Sequence, residues 1–375
     1  MEEKRRVAVL GVTGFIGRGL PQLLAARGYV CTGISRSGSG NLPGVASWQK
    51  PDSMDLGGYH AVINLAGERI DRRWTSANRR RFHESRVGLT RQLVEALARC
   101  QKTPRAQSVR GIALELERLA NHVGDLGALA NDIGFLPTAS YCGRIRGDFL
   151  NMTAALCGSR FGRGMIRPGG VGFGVDETIV GELLKRLEEA ERDTTGAVEL
   201  LWDTPSVMAR LEDTGPVPKG VAQQLGLVGP AARACGMRRD ARNDHPSGIF
   251  RFAHIPVSTW DTGDVFARAY VRWLEVQRSI DFVREQLRAL PPGEARSRVG
   301  TLAPDELAVA LVEGWRGELC HVALTDGTGR FERYKVVDPS FHNWTGLAYA
   351  LRGQQISDFP LCNKSFNLSY CGHDL

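Results

Sequence analysis

Residues 109–137 read VRGIALELERLANHVGDLGALANDIGFLP, and this stretch decides the fold of the larger part of the chain. Apolar side chains recur along it in alternating steps of four and three, at Ile112, Leu116, Leu119, Val123, Leu126, Ala130 and Ile133. An α-helix turns once in about 3.6 residues, so this spacing places them on one helix face. The pattern predicts one long amphipathic helix, or two in line, over residues 106–136, with a buried seam.

Ionisable side chains accompany this seam, each one position before an apolar residue. They are Glu115, Arg118, His122, Asp125 and Asp132. A charged group beside a buried face is costly unless it is paired. These five side chains therefore either form an internal ion-pair network or line a functional cavity.

The remaining elements after residue 105 follow from turn and capping signals. Arg167–Val171 (RPGGV) reads as a turn, residues 176–192 and 264–290 as amphipathic helices, and residues 215–244 as loop-rich chain. Two strands, residues 318–324 and 331–337, flank TDGTG and predict a hairpin. The expected order is helices first, then a small antiparallel β unit, and last a short tail.

The front of the chain has the pattern of a dinucleotide-binding unit, with a strand at residues 6–10 and a helix at 18–27. Between them lies a glycine-rich turn, residues 11–17 (GVTGFIG). Glycines let the backbone approach a pyrophosphate, whose charge is met by free amides at the helix N-terminus. The alternative is an ordinary tight turn. The predicted cofactor-binding residues of this turn are Gly11, Thr13, Gly14, Phe15, Ile16 and Gly17.

The choice of nucleotide depends on the end of the second predicted strand, residues 29–34. Arg36 follows it, at a place where an acidic residue would hold the ribose hydroxyls of NAD, and so favours the 2′-phosphate of NADP. A plain surface arginine is the alternative. A further strand, residues 59–65, ends at Ala66 and Gly67, where small residues permit close cofactor approach. We therefore expect NADP, or NAD, at residues 1–104.

Composition limits the protein class. The 375 residues suggest two or three domains, and 42% hydrophobic with 24% charged residues excludes wholesale disorder. No apolar run has the ~18 residues of a membrane-spanning helix, and the start lacks a secretory signal pattern. Eight cysteines are too sparse for a disulfide scaffold, which indicates a reducing, cytosolic compartment.

The positive charge is confined to the front. Residues 1–104 carry 17 Lys and Arg against 8 Asp and Glu, whereas residues 105–375 carry 31 against 33. Much of the excess lies in arginines between residues 72 and 86, which form either a solvated helix face or a polyanion site. Nothing resembles a nucleic-acid-binding fold, so no nucleic-acid partner is expected. The change in charge near residue 104 suggests two regions of different origin.

The front segment resembles the opening third of the atypical extended short-chain dehydrogenases of the sugar-nucleotide-epimerase-like group. The resemblance rests on residues 11–17 (GVTGFIG), 63–70 (INLAGERI), 72–75 (RRWT) and 84–97 (ESRVGLTRQLVEAL). In that family a Tyr-x-x-x-Lys pair supplies the acid and base. No such pair occurs in this chain: Tyr141, for example, has Ile145 at that spacing. The cofactor half of the family's site is present and the chemical half is missing.

The rear segment resembles the quinone-site large subunit of respiratory complex I and the large subunits of membrane-bound energy-converting [NiFe] hydrogenases. Ordered motifs carry the resemblance: residues 109–137, 165–171 (MIRPGGV), 225–246 (LGLVGPAARACGMRRDARNDHP), 313–319 (EGWRGEL) and 336–375. The family implies that His122 and Asp132 border a quinone chamber and serve proton coupling, and that Arg167 lies near an adjoining iron–sulfur subunit. It also implies membrane subunits as partners and a peripheral position on the cytoplasmic face of the inner membrane.

No nickel–iron centre is expected. Hydrogenases of this group hold the metals with two Cys-x-x-Cys pairs, and thiolates of both pairs are needed. The first pair would precede residue 106, and the second falls at residues 371–374, where Cys371 alone remains. No Cys-x-x-Cys occurs in the chain. Cys371 with His373 and Asp374 forms either a mononuclear site or, as we prefer, a tail that packs into its neighbour.

The expected fold is an α/β partial Rossmann segment, residues 1–104, followed by a mainly α (α+β) large-subunit-like domain, residues 105–375, that lacks its family's N-terminal part. The favoured function is an electron-transfer oxidoreductase subunit fused to a partial nucleotide-binding segment. One alternative is an NADP-binding epimerase or dehydrogenase-like protein. The other is a non-catalytic fusion of two truncated domains.

Overall fold

The computed structural model describes residues 5–14, 17–56, 59, 61–66, 75–83, 103–297 and 299–373. The chain divides after Pro104 into two compact units. A parallel α/β sheet in the first and mainly helical structure in the second confirm the predicted fold class. None of the helices in the described ranges is long and apolar enough to span a membrane.

The first unit is built on four parallel strands in the order β3-β2-β1-β4. They are β1 (Arg6–Leu10), β2 (Val30–Ile34), β3 (Val45–Gln49) and β4 (Ala61–Asn64), with helices α1 (Leu20–Ala26) and α2 (Ser76–His83). Buried residues cover both faces of the sheet, as parallel strands require. β3 was not predicted, because its short sequence VASWQ follows a stretch rich in glycine and serine that resembles a loop.

The second unit begins with α3 (Pro104–Asp132), the helix predicted from the seam. Six of the seven seam residues are at most 1% exposed, and Ile133 is partly buried against the same core. The helix ends before Gly134, whose φ of +76° reverses the chain into α4 (Leu136–Cys157). Gly127 of α3 lies so close to α4 that a Cβ there would be 2.7 Å from Cys142 Cβ.

Two more long helices begin where their caps predict. Asp176 accepts a hydrogen bond from Ile179 N at 2.8 Å and starts α5 (Glu177–Trp202), which runs ten residues past its predicted end. Asp264 accepts from Ala267 N at 2.7 Å and starts α10 (Val265–Arg288). Short helices lie between them: α6 (Pro205–Leu211), α7 (Lys219–Leu225), α8 (Gly229–Arg233) and α9 (Ala241–Asp244). The last three occupy most of the stretch predicted as loop-rich.

The β structure of this unit is a small hairpin and a three-stranded antiparallel sheet. The hairpin, β5 (Ile166–Arg167) and β6 (Gly170–Val171), is the predicted RPGGV turn. The sheet contains β7 (Leu307–Gly314), β8 (Gly317–Thr325) and β9 (Phe331–Val337) in that order. β8 and β9 form the predicted hairpin, whereas β7 was not predicted.

The end of the chain is helical, so the prediction of a short tail after the β unit was wrong. It forms α11 (Pro339–Ala350), α12 (Phe359–Phe366) and α13 (Tyr370–His373). Leu347, Leu361 and Phe366 from this segment join the core around α3. Asp338 caps α11 by accepting from Ser340 N at 2.8 Å.

Candidate functional site

Eight titratable side chains form a closed set of ion pairs inside the second unit, here called the buried charge ring. Each is at most 7% exposed. They come from α3, from residues 233–242, from α10 and from β7: Glu115, Arg118, His122, Arg233, Asp240, Arg242, Glu275 and Glu313. The side chains of α3 that border the seam at positions 115, 118 and 122 therefore form an internal network.

Glu275 is the central acid of the ring. Its Oε1 accepts from Arg233 Nε at 2.7 Å, and its Oε2 lies 2.8 Å from His122 Nε2 and 3.6 Å from Arg118 Nη1. Burial alone raises the pKa of a carboxyl, but here Arg233 and the hydrogen bond from His122 hold the pKa of Glu275 well below its ordinary value. Glu275 is therefore charged, and it joins α10 to α3 and α8.

Arg118 fastens β7 to α3. Its Nη2 donates to Glu313 O at 2.6 Å and its Nη1 to Gly314 O at 3.0 Å, while its Nε donates to Glu115 Oε2 at 3.0 Å. The carboxylate of Glu313 accepts from Arg233 Nη1 at 2.8 Å and from Ala241 N at 2.9 Å. The backbone carbonyls of Glu313 and Gly314, at the end of β7, thus accept hydrogen bonds from a side chain of α3.

The ring closes through Arg242. This guanidinium donates from Nη1 to Glu115 Oε2 at 3.0 Å and from Nη2 to Asp240 Oδ2 at 2.6 Å. Ser279 of α10 also donates to Glu115 Oε2, at 2.7 Å. Burial raises the pKa of Glu115, but the guanidiniums of Arg118 and Arg242 outweigh it and lower that pKa overall.

The charges of the ring do not balance. It holds four carboxyl groups and three guanidiniums, and burial lowers the pKa of His122 to about 4, so its imidazole is neutral near pH 7. Burial raises the pKa of Glu313, which makes this carboxyl the one that retains a proton most readily. His122 Nδ1 and Arg233 Nη2 are buried and have no hydrogen-bond partner in the described structure.

Asp125, the next charged residue of α3, forms a separate pair. Arg272 Nε donates to its Oδ2 at 2.9 Å, and Asn367 Nδ2 donates to its Oδ1 at 2.6 Å. This contact ties the C-terminal helices to α3.

The three residues that the resemblance singled out are not brought together. His122 lies inside the ring, Asp132 is exposed at the C-terminal end of α3, and Arg167 is exposed in the β5–β6 hairpin. The hairpin itself is fixed in place. Arg110 of α3 donates from Nε to Gly170 O at 3.0 Å and from Nη2 to Arg167 O at 2.7 Å.

A cavity of about 630 Å³ lies along α3. Its α3 wall consists of Gln107, Arg110, Gly111, Ala113, Leu114, Glu117 and Asn121, and the rest comes from α4, residues 160–166, residues 247–250, Val312 and Trp315. Most of the lining is apolar. Sequence reasoning missed this site, although positions 107, 110, 114, 117 and 121 repeat in steps of three and four and mix polar with apolar residues on one helix face.

In the first unit, backbone atoms pack closely against two glycines of the glycine-rich turn. Gly11 has φ +74°, and a Cβ there would lie 2.8 Å from Ala66 N; a Cβ at Gly17 would lie 2.3 Å from Gly11 O. Among the described residues, a Cβ at Gly14 would meet Gly11 O, at 3.1 Å.

The other predicted nucleotide contacts are partly described. Thr13 O accepts from Arg18 Nε at 2.9 Å, and Arg36 is exposed just after β2. Phe15, Ile16 and Gly67 lie outside the described residues.

The donor set does not fit a nickel–iron centre. Such a centre needs two thiolate pairs, and the chain has no Cys-x-x-Cys. In the part of the chain that the structure describes, no three His, Cys, Asp or Glu side chains are grouped to hold a metal. Cys371 is exposed, and the side chains of His373 and Asp374 lie outside the described part.

Comparison with known families gives two matches. Residues 132–304 and 297–374 match the family described as respiratory-chain NADH dehydrogenase, 49 Kd subunit, and residues 7–108 match the NAD dependent epimerase/dehydratase family. Both resemblances seen in the sequence are thereby confirmed.

Individual relatives agree with the first match. The chain is 33% identical over 268 residues to a carbon monoxide-induced hydrogenase of Rhodospirillum rubrum, covering 70% of this chain and 73% of that protein. It is 32% identical over 292 residues to NADH-quinone oxidoreductase subunit 4 of Thermus thermophilus, covering 71% of each. A chain of the archaeal membrane-bound sulfane sulfur reductase shares the fold, with TM-score 0.68, 23% identity and coverage of 72% and 75%.

Proposed function

Because the chain belongs to the family of the 49 Kd subunit of respiratory-chain NADH dehydrogenase, we propose that residues 105–375 serve as the large subunit of a membrane-associated electron-transfer complex. In this proposal an iron–sulfur subunit delivers electrons, and a quinone or a quinone-like molecule accepts them. The chain is then peripheral to the membrane, on the cytoplasmic face of the inner membrane, and binds membrane subunits there.

The observation that carries this proposal is the cavity along α3. Its volume of about 630 Å³ suits a small organic ligand, because such pockets hold ~300–1,000 Å³. Its walls are mainly apolar, with a few guanidinium, amide and carboxyl groups. A redox-active ring with oxygen atoms at its ends binds through apolar contacts to the ring and polar contacts to the oxygen atoms, and the cavity offers both.

The β5–β6 hairpin supports the position of the iron–sulfur partner. Arg110 holds the backbone of this hairpin, while Ile166 remains 53% exposed beside the cavity and the Arg167 side chain is also exposed. A rigid turn with an exposed apolar and an exposed cationic side chain is suited to contact a second protein. We assign Arg167 to that interface.

We assign proton coupling to His122 and Asp132. His122 is neutral, bonded to Glu275 through Nε2, and has an unpartnered Nδ1 that can accept a proton. Asp132 lies ten residues further along α3, about 15 Å along the helix axis, in contact with solvent. The two are therefore assigned to different positions, one internal and one at the surface.

Co-purification from host membranes tests the subunit proposal. We expect the tagged chain, extracted with mild detergent, to be recovered with a protein that shows an iron–sulfur signal in electron paramagnetic resonance. The double variant Ile166→Glu, Arg167→Glu should lose this partner while its circular dichroism is unchanged. Arg163→Glu, an exposed arginine in the preceding loop, is the matched control and should retain it. Recovery of the wild-type chain alone contradicts the proposal.

A second function, NADP binding by residues 1–104, is favoured by the strand order β3-β2-β1-β4 and by the glycine-rich turn that directly follows β1. We expect NADPH to bind more tightly than NADH, and Arg36→Ala to reduce this preference about tenfold, because one charged contact to the phosphate is lost. Titration followed by nicotinamide fluorescence measures both. Absence of binding of either nucleotide at millimolar concentration, together with a failed co-purification, would support a non-catalytic fusion instead.

A further inference from the structure

The three-stranded sheet of the second unit has one charged edge and one apolar edge. β9, at the first edge, has the sequence FERYKVV, and charged side chains of this kind keep edge strands from pairing with other chains. β7, at the other edge, begins with LAVAL, residues 307–311, which contains neither a charged residue nor a proline. Its pairing with β8 runs without a bulge. β7 therefore lacks the features that protect an edge strand.

The side chains of this stretch are exposed on both faces of the strand. Leu307 is 60% and Val309 58% exposed on one face, and Ala308 and Ala310 are exposed on the other. Within the described ranges, β7 pairs with β8 and with no other strand. An apolar strand that is open on both faces and along one edge is typical of a surface that another strand covers.

The backbone groups of Leu307, Val309 and Leu311 point away from β8. Glu306 N donates to Thr325 Oγ1 at 2.9 Å, and Glu306 O accepts from Thr325 N at 3.0 Å, so Glu306 faces the β8 side. Residues of an antiparallel pair alternate between facing the neighbouring strand and facing away, so positions 307, 309 and 311 face away. No hydrogen bond from a described residue reaches their N–H and C=O groups. Three donors and three acceptors thus remain in a row along the edge.

Both ends of this open edge are closed. At one end, Glu313 O accepts from Arg118 Nη2 of α3 at 2.6 Å. At the other end the chain turns at Asp305, which has φ +54° and donates from its N to Asp326 O at 3.1 Å, on the side of β8. In the described structure, the stretch open to a further strand is therefore residues 307–311.

The sequence of the open stretch is a palindrome. LAVAL reads the same in both directions about Val309. Two identical strands in antiparallel pairing, related by a two-fold axis at Val309, place Leu307 opposite Leu311, Ala308 opposite Ala310, and Val309 opposite itself. The three outward-facing positions then fall on hydrogen-bonded pairs, so all the free donors and acceptors of each copy are satisfied.

We propose that two copies of this chain associate through residues 307–311 of β7, paired antiparallel about Val309. The two sheets then form one sheet of six strands, in the order β9-β8-β7-β7-β8-β9, and both of its outer edges are the charged strand β9. A strand of an unrelated protein would form the same backbone hydrogen bonds. The palindrome favours a second copy, because every side chain of the pair then meets one of its own kind.

Analytical ultracentrifugation of the purified full-length chain tests the association. We expect the average mass to rise from one chain toward two over micromolar concentrations. Val309→Lys and Val309→Asp should each weaken the dimer about tenfold or more, because two like charges would face each other across the axis. Phe331→Lys is the matched control, since Phe331 is also 58% exposed but lies on β9, and it should leave the dimer unchanged.

A mixture of the two Val309 variants separates strand pairing from a change in folding. The Val309→Lys chain and the Val309→Asp chain should form a heterodimer more tightly than either variant pairs with itself, since opposite charges then meet at the axis. Circular dichroism of each variant should match that of the wild type.

Disulfide formation between copies tests the register. Ala308→Cys chains mixed with Ala310→Cys chains, each also carrying Cys371→Ser to remove an exposed thiol, should be linked by oxidised glutathione. Opposite residues at such a position of an antiparallel pair have Cα atoms about 4.5 Å apart, which a disulfide can bridge. Either variant alone should remain unlinked, because its cysteines then lie opposite alanines.

A wild-type chain that stays monomeric at its highest soluble concentration overturns the inference, and so does a dimer that neither Val309 variant weakens. Loss of the dimer in both variants without recovery in their mixture also contradicts pairing at Val309. None of these results bears on recovery of the iron–sulfur partner, so the subunit proposal stands or fails separately.

Discussion

Replacing Glu275 with glutamine is expected to lower the free energy of unfolding of the second unit by about 3–5 kcal/mol. The carboxylate is 2% exposed and is the acceptor for Arg233 and the partner of His122. Its removal leaves the guanidinium of Arg233, already without a partner at Nη2, buried beside one fewer negative charge. Urea denaturation followed by circular dichroism measures the loss.

Glu285→Gln is the matched control, because Glu285 lies on the same helix with its side chain in solvent. It should change the free energy of unfolding by less than about 0.5 kcal/mol. A similar small change for Glu275→Gln would show that the buried charge ring contributes little to stability.

Acidification should reduce the effect of Glu275→Gln. The pKa of Glu275 is well below its ordinary value in the folded chain, so its contribution is fully present above the pKa of the unfolded state, about 4.3, and is lost as the pH falls through the lower, folded value. The difference in free energy of unfolding between wild type and Glu275→Gln should therefore be constant near neutral pH and become smaller below about pH 4.

Gly229→Ala is expected to destabilise the second unit by about 3 kcal/mol or more. Gly229 has φ +66°, and a Cβ there would lie 2.3 Å from Arg316 O and 2.4 Å from Gly317 Cα. The substitution combines the cost of the left-handed backbone, about 1–2 kcal/mol, with overpacking against a rigid strand turn, about 1–3 kcal/mol. Thermal unfolding of the purified chain provides the measurement.

A substitution at Gly226, three residues earlier, separates the backbone cost from the overpacking cost. Its φ is +67°, but a Cβ there would meet nothing within 4 Å. Gly226→Ala should therefore show the backbone cost alone, about 1–2 kcal/mol. Equal losses in the two variants would mean that the turn at Arg316 and Gly317 moves aside without cost.

The features that the sequence predicted correctly depend on neighbours along the chain. The seam of α3 follows from the spacing of Ile112 to Ile133, and the starts of α5 and α10 follow from Asp176 and Asp264, whose side chains cap the very next turn. The glycine-rich turn after β1 is of the same kind. Such signals involve residues only a few positions apart, so they can be recognised from the sequence alone.

The features that were missed depend on distant partners. The pattern around Glu115 and His122 showed that charged side chains border a buried face, but their partners Arg242 and Glu275 lie 127 and 153 residues away. β7 was missed because LAVALV lacks the polar alternation of a half-buried strand. The cavity was missed because it exists only where α3, α4 and the loops at residues 160 and 247 come together.

The contact between Asp125 and Asn367 spans 242 residues. A ribosome that adds ~5–20 residues per second needs about 12–48 s to make the intervening chain. During that interval Asp125 of α3 lacks its contact with Asn367, so the tie between this helix and the C-terminal helices forms only after the last part of the chain has been translated.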